Sequence, residues 1–120
     1  MKQEYKELLL KDLSSRLPYD VKCKIEMWIG CDVCTIYNIN SIGYVEIVED
    51  SDTNGVSIER IKPYLFPLSS MTDGQKTEWD YIDYYADHHE AVDWLNKNHF
   101  DYRGLIDIGL ALDATNKNIF

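Results

Sequence analysis

Apolar side chains recur along the chain at helical spacing, then at strand spacing, then at helical spacing again. Tyr5, Leu8, Leu9 and Leu13 fall on one helical face and predict an amphipathic helix over residues 2–15, with Leu10 off the stripe. Pro18 cannot continue that helix and biases Leu17 toward extended backbone, so a turn is expected over residues 16–19. From Val21 the period becomes two. Val21, Cys23, Ile25 and Met27 alternate with Lys22, Lys24 and Glu26, as one face of a strand requires. Residues 33–39 and 43–49 are rich in β-branched and aromatic side chains, and Asn40, Ser41 and Gly43 between them predict a hairpin. Asp52, Thr53, Asn54 and Gly55 supply a second turn, leading into a fourth strand over Val56 to Ile61 and hence a meander.

The second half is patterned differently. Pro63 and Pro67 flank Tyr64, Leu65 and Phe66, which argues against a central strand and predicts a compact apolar connector. Thr72 and Gln75 have capping-box spacing, and Trp79, Ile82 and Ala86 then recur at three and four, predicting a helix over 73–86. A second helix over 89–97 would turn Val92 and Leu95 inward, with Ala91 and Trp94 adjoining. Asp101 is placed to cap a short helix beginning at Tyr102 and Gly109 to end it, after which Leu110, Ala111 and Leu112 are expected to be extended and to offer one more strand. The expected fold is α+β: an N-terminal helix, a small antiparallel sheet with an SH3-like partial barrel as one way of closing it, then two or three C-terminal helices. A single domain over 1–120 is expected, helix plus strands in 1–68 and an acidic helical part in 69–120, because no repeat, low-complexity run or flexible linker divides it.

Composition narrows the function classes. At 120 residues, with 45% hydrophobic and 12% aromatic side chains, the chain can bury a real core and lies outside the composition of disordered chains. The first residues are too charged for a signal peptide and no stretch approaches a membrane span, so a cytoplasmic protein is expected. The odd number of cysteines, Cys23, Cys31 and Cys34, fits thiols in a reducing compartment. The formal net charge is −9 and the excess lies mainly in the second half. From Glu78 through Asp93 come Glu78, Asp80, Asp83, Asp87, Glu90 and Asp93 with no Lys or Arg, which would repel a phosphate backbone and disfavours direct nucleic-acid binding.

The stretches IKPYLFPLSSMT (61–72), HFDYRGLI (99–106) and GLAL (109–112) resemble segments of small proteins of uncharacterised function encoded by gut Bacteroidales, their phages and mobile elements. LLLKDLSSRLPYDVKCKI (8–25) looks similar too, so the resemblance spans about half the chain and leaves the acidic stretch of about 73–95 outside it. It implies a phage or mobile-element accessory gene and brings no catalytic residue. Cys31 and Cys34 stand outside the pattern.

Candidate chemistry is sparse. Cys31 and Cys34 form a CxxC that could chelate zinc or serve as a redox pair, with His88, His89 and His99 as conceivable further ligands. Adjacent histidines point apart on a helix, and this CxxC enters a strand where a redox pair would head a helix, so half-buried cysteines and no metal are expected. Asp80 with Asp83, or Asp83 with Asp87, would share a helical face, as acid–base chemistry could use or as a solvated surface would show. Ser69 and Ser70 lack a nucleophile elbow, the six glycines form no phosphate loop, and Arg103 reads as paired with a carboxylate, so neither enzyme nor cofactor is expected. The interaction surface expected instead consists of Glu78, Trp79, Asp80, Tyr81, Asp83, Tyr84 and Asp87, aromatics supplying anchors and carboxylates matching a basic, host or phage, partner protein. Such a surface could imitate nucleic acid toward a nucleic-acid-binding enzyme. The alternative is a protein that sequesters a small molecule or nucleotide in a pocket at an oligomer interface.

Overall fold

The computed structural model describes residues 2–27, 32–49 and 55–120. The fold is mixed α and β: an N-terminal helix, a six-stranded sheet and C-terminal helices. Helix α1 (Gln3–Arg16) gives way at Pro18 to a short 3-10 turn (Leu17–Tyr19), so the expected turn is present, but Leu17 is helical (φ −50°, ψ −39°) and not extended. Strands β1 (Lys22–Ile25), β2 (Cys34–Ile39) and β3 (Val45–Ile47) follow, then β4 (Ile61–Pro67), α2 (Asp73–Tyr85), α3 (His88–Lys97), β5 (Phe100–Asp101) and β6 (Leu112–Asp113).

The alternation read in β1 holds through Ile25, with Val21, Cys23 and Ile25 all buried. Met27 departs from it. It is 95% exposed at φ +66°, because the chain turns beyond Ile25 and the inward face has no further register to fill. Strands β2 and β3 form the expected hairpin, with a register shift between Ile36 and Asn38, and Cys23 stands opposite Cys34 across β1 and β2. The expected strand over 56–61 is reduced to one bridge, Val56 with Val45, followed by a 3-10 turn (Ile58–Arg60). The four-strand meander is therefore corrected: β4 returns to pair with β1, giving the order β3-β2-β1-β4. The turn signal at Asp52 to Asn54 lies outside the described residues.

The proline-flanked connector is corrected more sharply. Residues 61–67 form β4, the most connected strand of the sheet: it pairs antiparallel with β1 at Ile61–Pro63, parallel with β6 at Tyr64 and Leu65, and parallel with β5 at Phe66 and Pro67. Two features reconcile this with the prolines. The Glu26 N–H donates to the Arg60 carbonyl, and hydrogen-bonded pairs alternate along an antiparallel ladder, so Lys24–Lys62 is a bonded pair and Cys23–Pro63 is not. Pro63 therefore owes β1 no donor, and Pro67 stands at the strand's end. The two parallel strands also make the sheet mixed rather than purely antiparallel.

Successive residues of β4 face opposite sides, and each side carries its own core. Leu65 joins the larger core, with Leu9 and Leu13 of α1, Val21, Ile25, Ile36, Ile47, Ile61 and Leu105. Phe66 joins a smaller aromatic core built on Trp94, Leu95 and Phe100, against which Met71, Trp79, Ile82 and Tyr102 pack. In α3, Ala91, Trp94 and Leu95 are buried and Val92 is half-buried, so the inward face lies one residue earlier than expected. The expected third helix after Asp101 is absent. Both Asp101 carboxylate oxygens do accept backbone bonds, from Leu105 N and Ile106 N at 2.9 Å, but they hold a series of turns that ends at Gly109 with φ +79°. The extended run expected at Leu110 to Leu112 is realised at its end, as β6.

Candidate functional site

Helix α2 begins with a complete capping box: Gln75 N–H donates to Thr72 Oγ1 at 3.2 Å, and Thr72 N–H to Gln75 Oε1 at 2.9 Å. Its inner stripe, Gln75, Trp79, Ile82 and Ala86, reaches only half-burial, and no residue of the helix is fully buried. An outward-facing majority follows from this shallow seating.

The expected surface residues divide into two sets. Glu78, Trp79 and Asp87 hold the fold: Glu78 Oε1 accepts from Trp94 Nε1 at 2.8 Å, Trp79 stacks on Trp94 at 5.6 Å, and Asp87 caps α3 by accepting from Glu90 N at 2.8 Å. Trp94 in turn stacks on Phe100 at 5.7 Å, so Trp79 is the outer plate of a three-ring stack. Asp80, Tyr81, Asp83 and Tyr84 face solvent. Tyr81 and Tyr84 are 65% and 80% exposed, and Tyr85, 70% exposed, packs against both, with ring centroids 4.8 and 4.7 Å away. Tyr85 was legible as a member of this cluster, since it lies one helical turn beyond Tyr81. The side chains of Asp80 and Asp83 form no ion pair among the described residues.

Beside this face lies a cleft of about 620 Å³ between the start of α2, the 3-10 turn Leu68–Ser70 and the chain after β5. Leu68, Met71, Trp79, Leu95 and Tyr102 give it an apolar floor, and Ser69, Asp73, Lys76 and Asp80 form its polar rim. A second hollow of about 520 Å³ shares Leu68, Ser69 and Tyr102 with it and adds Asp101, Asp107 and Asp113. Apart from Trp79 and Asp80, these lining residues read in sequence only as parts of a helix, a connector, a cap or turns, because nothing local brings them to one cleft.

A different charged group lies inside. Asp12 and Arg16 of α1 are fully buried and paired at 2.9 Å, Arg16 also donates to the Phe100 carbonyl at 2.7 Å, and Arg103 reaches Asp12 at 3.1 Å. Both guanidiniums lie near the Tyr102 ring, 5.2 and 4.8 Å from its centroid, while its hydroxyl accepts from Arg103 and donates to Asn96 Oδ1. This bears out a paired Arg103. Nearby, burial and then the Arg16 charge push His99 down to about 4, and its ring stacks on Phe120 at 3.8 Å. At the surface, the Tyr19 hydroxyl donates to Asp93, a bond that raises its pKa and ties the turn after α1 to α3.

Cys31 lies outside the described residues; Cys34 is buried in β2. Among the described residues no three His, Cys, Asp or Glu side chains are grouped to hold a metal ion, and no helix is long and apolar enough to cross a membrane. Comparison with protein-family models, with curated proteins and with solved structures finds no match to the chain.

Proposed function

We propose that this protein is a non-enzymatic protein-binding module that engages a basic partner through the outer face of α2, in keeping with an accessory role in a phage or mobile element. The observation that carries the reading is the cluster of Tyr81, Tyr84 and Tyr85: three large rings packed on one another, each more than half exposed, on a helix that buries no residue fully. Exposed aromatics supply rigid anchoring area at interfaces, and these three belong to neither apolar core. Asp80 and Asp83, with no ion-pair partner among the described residues, give the patch a charge that steers a cationic surface toward it and excludes an anionic one.

Capture from host lysate at graded ionic strength tests this. A basic protein is expected to be retained at low salt and released at high salt, and replacing Asp80 and Asp83 together by Asn should weaken its capture about tenfold or more. Capture that ignores both salt and the double substitution would contradict the reading, as would stabilisation by nucleotides with no protein captured.

A further inference from the structure

We infer that the cleft walled by α2, the Leu68–Ser70 turn and Tyr102 receives a single apolar side chain from a basic segment of the partner, whose neighbouring Arg or Lys side chains lie over the acidic rim. The inference rests on the reading of α2 as the binding face and gives that partner its chemistry. The cleft's α2 wall is made by Asp73, Lys76 and Asp80, which recur at helical spacing, and Asp83 and Tyr84 continue the same stripe onto the exposed end of the helix. Cleft and tyrosine patch therefore form one continuous surface along a helix about 20 Å long.

The floor suits an aromatic or large aliphatic group. Trp79 and Tyr102 present ring area, Leu68 and Met71 add adaptable aliphatic surface, and a volume of about 620 Å³ exceeds what one side chain fills, leaving room for its flanking backbone. The rim sets the charge of that backbone's neighbours. Asp73 and Asp80 stand on the rim against its one cation, Lys76, and Asp107 and Asp113 line the adjoining hollow beyond the shared Leu68, Ser69 and Tyr102, so an acidic segment crossing the cleft would meet more carboxylates than cations where a basic one finds complements. An open cleft with an apolar floor and acidic walls fits a peptide better than a free anion or nucleotide, whose phosphates those walls repel.

Selection from a phage-displayed library of random dodecapeptides tests the inference. Peptides enriched on the wild-type protein are expected to combine one aromatic or large aliphatic residue with two or more Arg or Lys. A fluorescein-labelled synthetic copy of the most enriched peptide should bind Ser69→Phe, which fills the cleft from an exposed position, about tenfold more weakly. Lys76→Glu, which removes the rim's cation, should bind it about threefold more tightly. Unchanged thermal midpoints show that both variants fold. Peptides lacking either element, no enrichment, or indifference to both substitutions would overturn the inference. A lysate partner that depends on Asp80 and Asp83 while the selected peptides ignore Ser69→Phe would overturn the cleft and leave the binding face standing. Loss of both would remove the two together.

Discussion

Helices α1 and α2 are nearly equal in length, 14 and 13 residues, and opposite in what they bury. Helix α1 takes a carboxylate and a guanidinium wholly inside, Asp12 and Arg16, alongside Leu9 and Leu13. Helix α2 buries nothing fully and leaves three tyrosines in solvent. Desolvating an ion pair is costly unless geometry and further hydrogen bonds offset it, and around Asp12 two arginines and the Phe100 carbonyl do so in part, with Arg16 Nη1 buried and without a hydrogen-bond partner among the described residues. The tyrosines of α2 stay in solvent, where the Tyr85 ring packs on those of Tyr81 and Tyr84. The contrast separates residues that the fold requires from residues that it merely carries.

The largest effect is expected at the buried group. Asp12→Ala would leave Arg16 and Arg103 facing each other without their shared anion and should cost ~3–5 kcal/mol, read as a collapse of the denaturation midpoint. A midpoint that stayed in place would erase the distinction between the two helices.

A pH titration of stability sharpens the same comparison. His99 is held at about 4 in the folded chain by burial and by Arg16, against an ordinary value of 6.5, so the unfolded chain binds the extra proton between those values. Stability should fall as pH drops from about 6.5 toward 4, by ~1–2 kcal/mol once the partial exposure of the ring is allowed for. His99→Asn suits the residue's φ of +62° and should flatten that slope, as chemical denaturation at a series of pH values would show.

A smaller effect separates capping from binding among the carboxylates. Asp87→Ala should lower stability by ~1 kcal/mol through loss of the α3 cap, whereas Asp87→Asn should change it by only a few tenths. Equal losses would show that the charge at Asp87, rather than its hydrogen bond to Glu90 N, is what matters.

Much of this fold is written in local pattern. Val21, Cys23 and Ile25 announce β1 by alternation, Thr72 and Gln75 announce α2 by their capping box, and Leu95 and Trp94 mark α3, whose cap at Asp87 reads in sequence as part of the binding surface instead. What pattern missed depends on partners distant in sequence. Asp12 and Arg16 look like solvent-facing charges on α1 until Phe100 and Arg103 arrive to enclose them. Pro63 looks like a strand breaker until the register with β1 shows that no donor is wanted there. Asp101 looks like a helix cap because its carboxylate does bind the following backbone N–H groups, yet turns rather than a helix satisfy it equally well. For the surface, sequence placed Asp80, Tyr81, Asp83 and Tyr84 where solvent reaches them, but it could not foresee that Glu78 and Trp79 are held by Trp94. The cleft was hidden for the same reason, since its walls meet only in three dimensions.

The most direct test replaces Tyr81, Tyr84 and Tyr85 together by Ser and measures thermal unfolding and partner capture on the same preparation. Surface positions of this kind leave stability within about 0.5 kcal/mol, so the account predicts an essentially unchanged midpoint with capture of the basic partner lost. Capture that persists in the triple variant, or a midpoint that falls as far as in Asp12→Ala, would contradict it.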